Sequence, residues 1–521
     1  MVQLSKIRFS AIARKVRNYS ISAFHSGACV LLFLAVSTVH ATTWYVHPDS
    51  ALNSIQTALG LCSDHDTVLV GPGTYYANIV WPGTQGILLM SELGPAVTLI
   101  DGGGITVNQC VIAVTSGVDS TTVIRGFTIQ NGEGEGNGGG IVCWGSSPTI
   151  MGNTIISNYS WTGGGVVVCD SAAPIIINNT ISNNFSYGGS GIGCVTYSSP
   201  RIINNVIAGN SSNEQGGGIL CSHSSPTITD NQISNNWANY GGGGIMLIVC
   251  SASIAGNNIC GNTVAGYGAG ICANYTSAVI KNNTITSNTA YDVGMGYGGG
   301  GISIFLGDVC IASNTVAGNT GGGILCCGAS PIIDSCNISG NSGTGISCSP
   351  HRQGTQSDPI INYNNINNNT GYGVQNTDST IMINAENNWW GDQSGPSGFG
   401  PGTGDSVSQF VDFDPWLAVP VGVAEHKPYQ IIANILQAYP NPLREYTNIK
   451  YSIPYRAMFV NLKIIDVLGR AVRTFPNSYA PTNQITWQGT DNNGNHLPSG
   501  VYFLRLESSA GIQTIPVVIL R

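Results

Sequence analysis

GGGILCSHSSPTITDNQISNN, residues 216–236, is one unit of a pattern that recurs through the middle of the chain. Its last residue belongs to a file of nine asparagines: Asn158, Asn184, Asn210, Asn236, Asn262, Asn288, Asn319, Asn341 and Asn369. The first six are 26 residues apart, and steps of 31, 22 and 28 follow. Five residues upstream runs a second file: Asn153, Asn179, Asn205, Asn231, Asn257, Asn283, Asn314, then Cys336, then Asn364. Isoleucine stands three residues before this second file in every unit, from Ile150 to Ile361, and two residues after it in all but one, where Val316 replaces it. A fixed period in this range marks a repeat architecture.

Glycine and asparagine punctuate each unit every few residues, so no helix of useful length fits inside it. The apolar residues come in short alternating runs, the pattern of strands with one buried face. Asparagine tolerates the left-handed backbone conformation and suits a sharp corner. Three short strands and three corners per unit give one turn of a right-handed parallel β-helix, with successive turns stacked about 4.8 Å apart. The isoleucine files then become interior columns, and the aligned corner asparagines form amide ladders. A propeller blade needs a longer period, and a sandwich imposes no columnar identity. The expected fold is all-β: a parallel β-helix of roughly 13 coils followed by a small Ig-like β-sandwich.

Working outward, residues 1–41 read as a signal peptide. A basic start (Lys6, Arg8, Arg14, Lys15, Arg17) precedes the apolar stretch Ala28 to Val36 and the small-residue site Val39-His40-Ala41. The apolar stretch is too short to span a bilayer, so no transmembrane segment is expected in the mature chain. Residues 53–62 have helical spacing and are expected to cap the first coil, hiding an open sheet edge. Ser54-Ile55-Gln56, residues 66–75, Gly126-Phe127-Thr128-Ile129 and the GGGI units resemble secreted right-handed β-helix repeat proteins with a pectate-lyase-like fold. The resemblance covers about 43–416 and implies a fold; the group includes lyases, hydrolases, epimerases and proteins without chemistry. Insertions around 291–299 and 349–359 lengthen two corners and are expected on the surface, often the binding side. Trp389 and Trp390 are expected to cover the last coil.

Residues 417–433 read as a linker. From 434 to 521 the period vanishes and alternating strands with frequent turns fit a β-sandwich. This segment resembles the type A C-terminal sorting domain of the type IX secretion system. The matching residues are Tyr439-Pro440-Asn441-Pro442, Thr447 to Tyr451, Ile465 to Arg470, Trp487 to Asp491 and Ser499 to Tyr502. Leu443-Arg444 departs from the usual phenylalanine and asparagine. The resemblance implies the type IX machinery as partner, export through the outer membrane, and a cell-surface or extracellular destination.

Residues 42–420 hold four basic side chains (Arg125, Arg201, Lys281, Arg352) against 21 acidic ones, a balance of −17. Such a barrel is a poor binder of pectate, alginate or nucleic acid. A lyase needs a basic group near the proton it removes, and a glycosidase needs paired carboxylates. Arg125, Arg201 and Lys281 read as isolated and at unrelated repeat phases, and Asp230 and Asp334 lie four coils apart, so no catalytic residue is assigned. No metal site or cofactor is expected either, since no CxxC pair or His/Cys cluster is present. Cysteine alternates with aliphatic residues ten positions before the second file (Cys143, Cys169, Val195, Cys221, Leu247), as an interior hydrophobe would. A Cys143–Cys169 bridge between adjacent turns stays open.

Trp161 and Tyr187 share a repeat phase, and Tyr240, Tyr267 and Tyr291 fall within about two positions of it. Facing solvent, they form an aromatic strip suited to neutral glycans. The expected function is a non-enzymatic surface protein for adhesion, glycan binding or structure. The alternative is a carbohydrate-active enzyme on neutral or weakly charged polysaccharide.

Overall fold

The structure is a computed structural model. It describes residues 41–103, 109–134, 138–291, 299–422, 436–452, 460–466, 470–475, 482–492, 494–508 and 511–520. The expected signal peptide, except its last residue, most of the linker and the centre of the 291–299 insertion lie outside the described residues.

A parallel solenoid of about 14 turns fills residues 43–412. Three long sheets of 15, 12 and 14 strands run its length, built from the first, second and last strands of each turn. The helix Ile55–Leu61 sits at the N-terminal end, where Ser54 accepts from the Thr57 amide and Ile55, Ala58 and Leu59 are buried. The pairing is in register along the isoleucine files: Ile150 opposes Ile176, which opposes Ile202, and Ile155 opposes Ile181, which opposes Ile207. These side chains are fully buried.

Both asparagine files point inward. Asn236 accepts from the amide nitrogen and Nδ2 of Asn210 at 3.0 Å each, and its own Nδ2 donates to Ile207 O at 2.9 Å and to Asn262 Oδ1 at 3.0 Å. The same bonds repeat turn after turn, so the ladder satisfies backbone groups that the corners leave unpaired. The left-handed conformation belongs to the residue before each ladder asparagine, as at Asn178, Asn183, Asn204 and Asn235. This corrects the expectation that one asparagine does both tasks. An inward amide cannot also occupy the outward corner. At Cys336 the ladder changes chemistry: Asn314 N donates to its sulfur at 3.5 Å, and Cys336 N donates to Asn364 Oδ1 at 2.8 Å. At the C-terminal end Asp405 takes the ladder's last place and accepts from Asn369 Nδ2 at 2.8 Å. Trp390 is fully buried against the final turns.

The last glycine of each GGG or GAG unit sits where the chain passes close to the next turn. A methyl group on Gly270 would lie 2.5 Å from Gly301 O, and one on Gly244 would lie 2.6 Å from Gly270 O. Just before these glycines the structure departs from three strands per turn. Seven turns carry a fourth short strand, from Glu133–Gly134 through Tyr159–Thr162, Phe185–Gly188, Ser211–Gln215, Trp237–Ala238 and Thr263–Val264 to Thr289–Ala290. Small residues fill its inward file, among them Ser160, Ser186, Ser212 and Ala238.

Residues 436–520 form two antiparallel sheets that share one core. One holds Leu436–Tyr439, Thr447–Ser452 and Thr482–Trp487. The other holds Ala471–Thr474, Val460–Ile465, Gly500–Ser508 and Gly511–Ile519. Ile449, Tyr451 and Trp487 of the first meet Leu462, Ile464, Leu504 and Val517 of the second. Asn441 of the Pro-Asn-Pro motif accepts from the Val518 amide and donates to Pro516 O, both at 2.9 Å, which ties the motif to the last strand.

Candidate binding surfaces

Side chains alternate along a strand, so Tyr159 and Trp161 share the outward face of one short strand, and Phe185 and Tyr187 share that of the next. Tyr159 opposes Phe185 in the register. The rings stack in two columns: Tyr159 on Phe185 at 5.6 Å and 8°, and Trp161 on Tyr187 at 4.4 Å and 14°. Phe185 meets Tyr187 edge-on at 6.4 Å. Tyr159 and Trp161 are exposed, and the other two are half-buried. The result is a four-ring platform of two stacked columns, set edge to face beside each other at Phe185 and Tyr187, over buried Ser160 and Ser186.

The register decides where the other expected aromatics fall. Thr162, Gly188, Gln215, Gly241 and Tyr267 align turn by turn. Tyr240, which is exposed, therefore stands in the file of Trp161 and Tyr187, with Glu214 between them. Tyr267 lies one position beyond that file. Tyr291, also exposed, lies one short of it, level with Asn239. Trp161 and Tyr187 thus meet; Tyr267 and Tyr291 diverge to either side. The sequence reading missed Tyr159 and Phe185, although both sit two residues before the pair it singled out, as strand alternation requires.

Tyr267 packs on Phe305, ring centroids 4.8 Å apart, over an apolar cluster on the outside of the third long sheet (Met246, Cys272, Leu325, Cys327). A cleft of about 230 Å³ opens there, lined by Tyr267, Asn274, Tyr275, Phe305, Cys327, His351 and Arg352. The last two come from the 349–359 insertion, where a turn closes with Gly354 N donating to His351 O at 2.7 Å. Burial pushes the Tyr267 hydroxyl up, and the positive charge of Arg352 pulls it the other way.

Beside this cleft runs the corner that follows the third sheet. In five consecutive turns it places Thr196, His223, Val249, Tyr275 and Leu306 at φ of 52, 50, 48, 51 and 52°, and Tyr197, next to Thr196, stands at 60°. They align through amide-to-carbonyl bonds between turns, such as His223 N to Ile248 O and Tyr275 N to Phe305 O. Each costs roughly 1–2 kcal/mol relative to glycine, and a β-branched residue such as valine is a pronounced outlier there. Tyr197, His223, Val249 and Tyr275 are exposed.

The charged residues do not converge. Asp334 aligns with Ala312, Lys281, Ala255 and Thr229, so Asp230 is four turns away. Arg125 and Lys281 share one register file, six turns apart, which corrects the reading that put them at unrelated phases. Among the described residues no group of three or more His, Cys, Asp or Glu could hold a metal ion, and no helix is long and apolar enough to cross a membrane. The cysteine file also needs correction. Cys143 opposes Val168, and Cys194 opposes Cys221; Cys169 opposes the exposed Trp144 instead. The steps are 25, 26 and 27 residues, so a fixed period of 26 misplaces two turns. Cys326 opposes Cys348 in the core, while Cys327 joins the outer cluster.

A family model described as a right handed beta helix region matches residues 91–259 and 243–399, and one described as a secretion system C-terminal sorting domain matches 437–520. No curated protein matches the chain. Among solved structures, PorZ, a surface component of the type-IX secretion system of Porphyromonas gingivalis, is 23% identical over 19% of this chain, with a TM-score of 0.14. The chain spans only 13% of PorZ. PfbA, a surface adhesin of Streptococcus pneumoniae, is 14% identical over 62% of this chain and 87% of its own, TM-score 0.35. The catalytic unit of an α-1,3-glucanase from Streptomyces thermodiastaticus is 12% identical over 72% of this chain and 67% of its own, TM-score 0.31.

Proposed function

Since the chain belongs to the right-handed β-helix family and ends in a type IX sorting domain, we propose that it is a surface protein that binds neutral glycans on the Tyr159–Trp161–Phe185–Tyr187 platform. The sorting domain directs export across the outer membrane to the cell surface or the extracellular space. The proposed layout is a signal peptide over 1–41, the barrel over 42–416, a linker over 417–433 and the sorting domain over 434–521.

The observation that carries the reading is the pair of stacked, solvent-facing aromatic columns. Flat rings offer sugar faces a large apolar contact at low entropic cost. Within each column the rings come from adjacent turns about 4.8 Å apart, and the columns stand side by side with Phe185 and Tyr187 at 6.4 Å, so one extended chain covers both. The barrel's balance of −17 favours uncharged ligands over polyanions. The separation of Asp230 from Asp334 supports binding over hydrolysis, because acid and base need to flank one bond.

The test is a glycan array probed with the full chain and with Trp161→Ala/Tyr187→Ala. Binding to neutral glycans that the double variant loses supports the platform. Equal binding by both proteins, or binding confined to acidic glycans, overturns it. Turnover of a bound glycan would move the assignment to a carbohydrate-active enzyme.

A further inference from the structure

The cleft at Tyr267 and the corner ridge beside it are unused by the platform reading and lie on another face of the barrel. At the corners after the first and second sheets, the left-handed positions are held mostly by Asn, Asp, Gly and Ser, as at Asn178, Asp230, Gly256, Asn183 and Ser287. These residues adopt that conformation readily. The third corner breaks the rule in five successive turns with Thr196, His223, Val249, Tyr275 and Leu306, and Tyr197 beside Thr196 is left-handed too. Tyr197 is 76% exposed and Tyr275 50%, so their burial does not offset the strain. Backbone strain of this kind gathers at functional sites. Tyr275 belongs to both ridge and cleft.

We propose that the cleft binds the terminal ring of a neutral glycan, with the following sugars lying along the ridge toward Tyr197. The volume decides for one ring: about 230 Å³ is below the roughly 300–1,000 Å³ of pockets that enclose larger ligands. Tyr267, Phe305 and Tyr275 supply apolar walls for a sugar face. Asn274 brings both a donor and an acceptor for hydroxyl groups, and Arg352 lines the same cleft. His351 adds a ring nitrogen at the rim. From Tyr275 to Tyr197 is three turns, or about 14 Å at the strand spacing, which leaves room for further sugars. This site selects a chain end, whereas the platform has no end wall.

The experiment uses the full chain carrying Trp161→Ala/Tyr187→Ala, so the platform is silent. Saturation-transfer NMR with cellotriose, laminaritriose and mannotriose reads which ring touches protein. The expected result is transfer concentrated on one terminal ring for at least one probe. Adding Tyr275→Gly or Arg352→Gln should weaken binding at least fivefold. Tyr275→Gly removes the ring and relieves the positive φ, so its melting temperature should hold or rise; lost binding then cannot be lost folding. Even transfer across three rings, no binding in this background, or affinity unchanged by both substitutions would overturn the cleft site. Loss of all binding in the platform variant alone would sink this proposal and leave the platform standing.

Discussion

Asn236→Ala removes one rung from the middle of the ladder, and the structure sets its cost. Asn210 loses the acceptor for its buried amide N–H and one of two acceptors for Nδ2, while Ile207 O loses a donor. An orphaned buried amide costs about 1–3 kcal/mol, and each further lost bond about 0.5–1.5 kcal/mol. The void left by the side chain adds to this. The expected destabilisation is about 3–5 kcal/mol. Asn235→Ala is the matched control: Asn235 is exposed at φ 55°, so its replacement costs only the roughly 1–2 kcal/mol of a left-handed alanine. Urea unfolding of the full chain, followed by tryptophan fluorescence, compares the midpoints of wild type and both variants. Because each turn contacts only its neighbours, the weakened turn should also open locally, visible as faster amide exchange in the turns of Asn210 and Asn262. A loss below about 1 kcal/mol, or equal losses at 235 and 236, would refute the claim that the ladder holds the turns together.

Other outcomes follow from the same geometry. Cys336→Asn completes the ladder between Asn314 and Asn364 and should stabilise by on the order of 1 kcal/mol, read as a higher urea midpoint; a lower midpoint would mean the site cannot take the amide. Val249→Gly should stabilise by up to about 1 kcal/mol, the left-handed strain of valine exceeding the backbone entropy that glycine adds. A destabilised variant would show that the ridge valine is held by packing. Gly270→Ala should unfold or split the barrel transition in calorimetry, since its methyl meets Gly301 O at 2.5 Å. Asp405 is pushed up by burial despite its bonds from Asn369. Its raised folded-state value means the native state binds the proton more tightly, so this group's contribution to stability falls as pH rises through that window. Asp405→Asn should therefore raise the melting temperature near neutral pH, with the gap closing as pH falls; a gap constant with pH would contradict this.

The solenoid was readable because stacking makes chemistry columnar: Ile150 to Ile361 must repeat if they share one interior file. The identity of the ladder was readable for the same reason, but its direction was not. Asn183 and Asn184 are adjacent and identical in type, and only the backbone shows that the first turns the corner and the second faces inward. The fourth strand hid because Ser160, Ser186 and Ser212 fill its inward file, so no hydrophobic alternation announces it. Its outer aromatics, Tyr159 and Phe185, went unread in consequence. Unequal turn lengths of 25 and 27 residues put Val168 opposite Cys143 and Cys194 opposite Cys221, one place off a fixed period, and in a strand one place exchanges the two faces. The cleft needed Tyr267, Phe305 and Arg352 to meet from two turns and an insertion, and no period in the sequence links them.

Titration calorimetry with a neutral glycan identified on the array tests the account most directly, comparing wild type with Trp161→Ala/Tyr187→Ala. Two lost aromatic contacts at about 0.5–1.5 kcal/mol each predict a roughly 5- to 150-fold weaker Kd, with the melting temperature nearly unchanged because both rings lie on the outer face. An unchanged Kd in a folded double variant would contradict the platform as the glycan-binding surface.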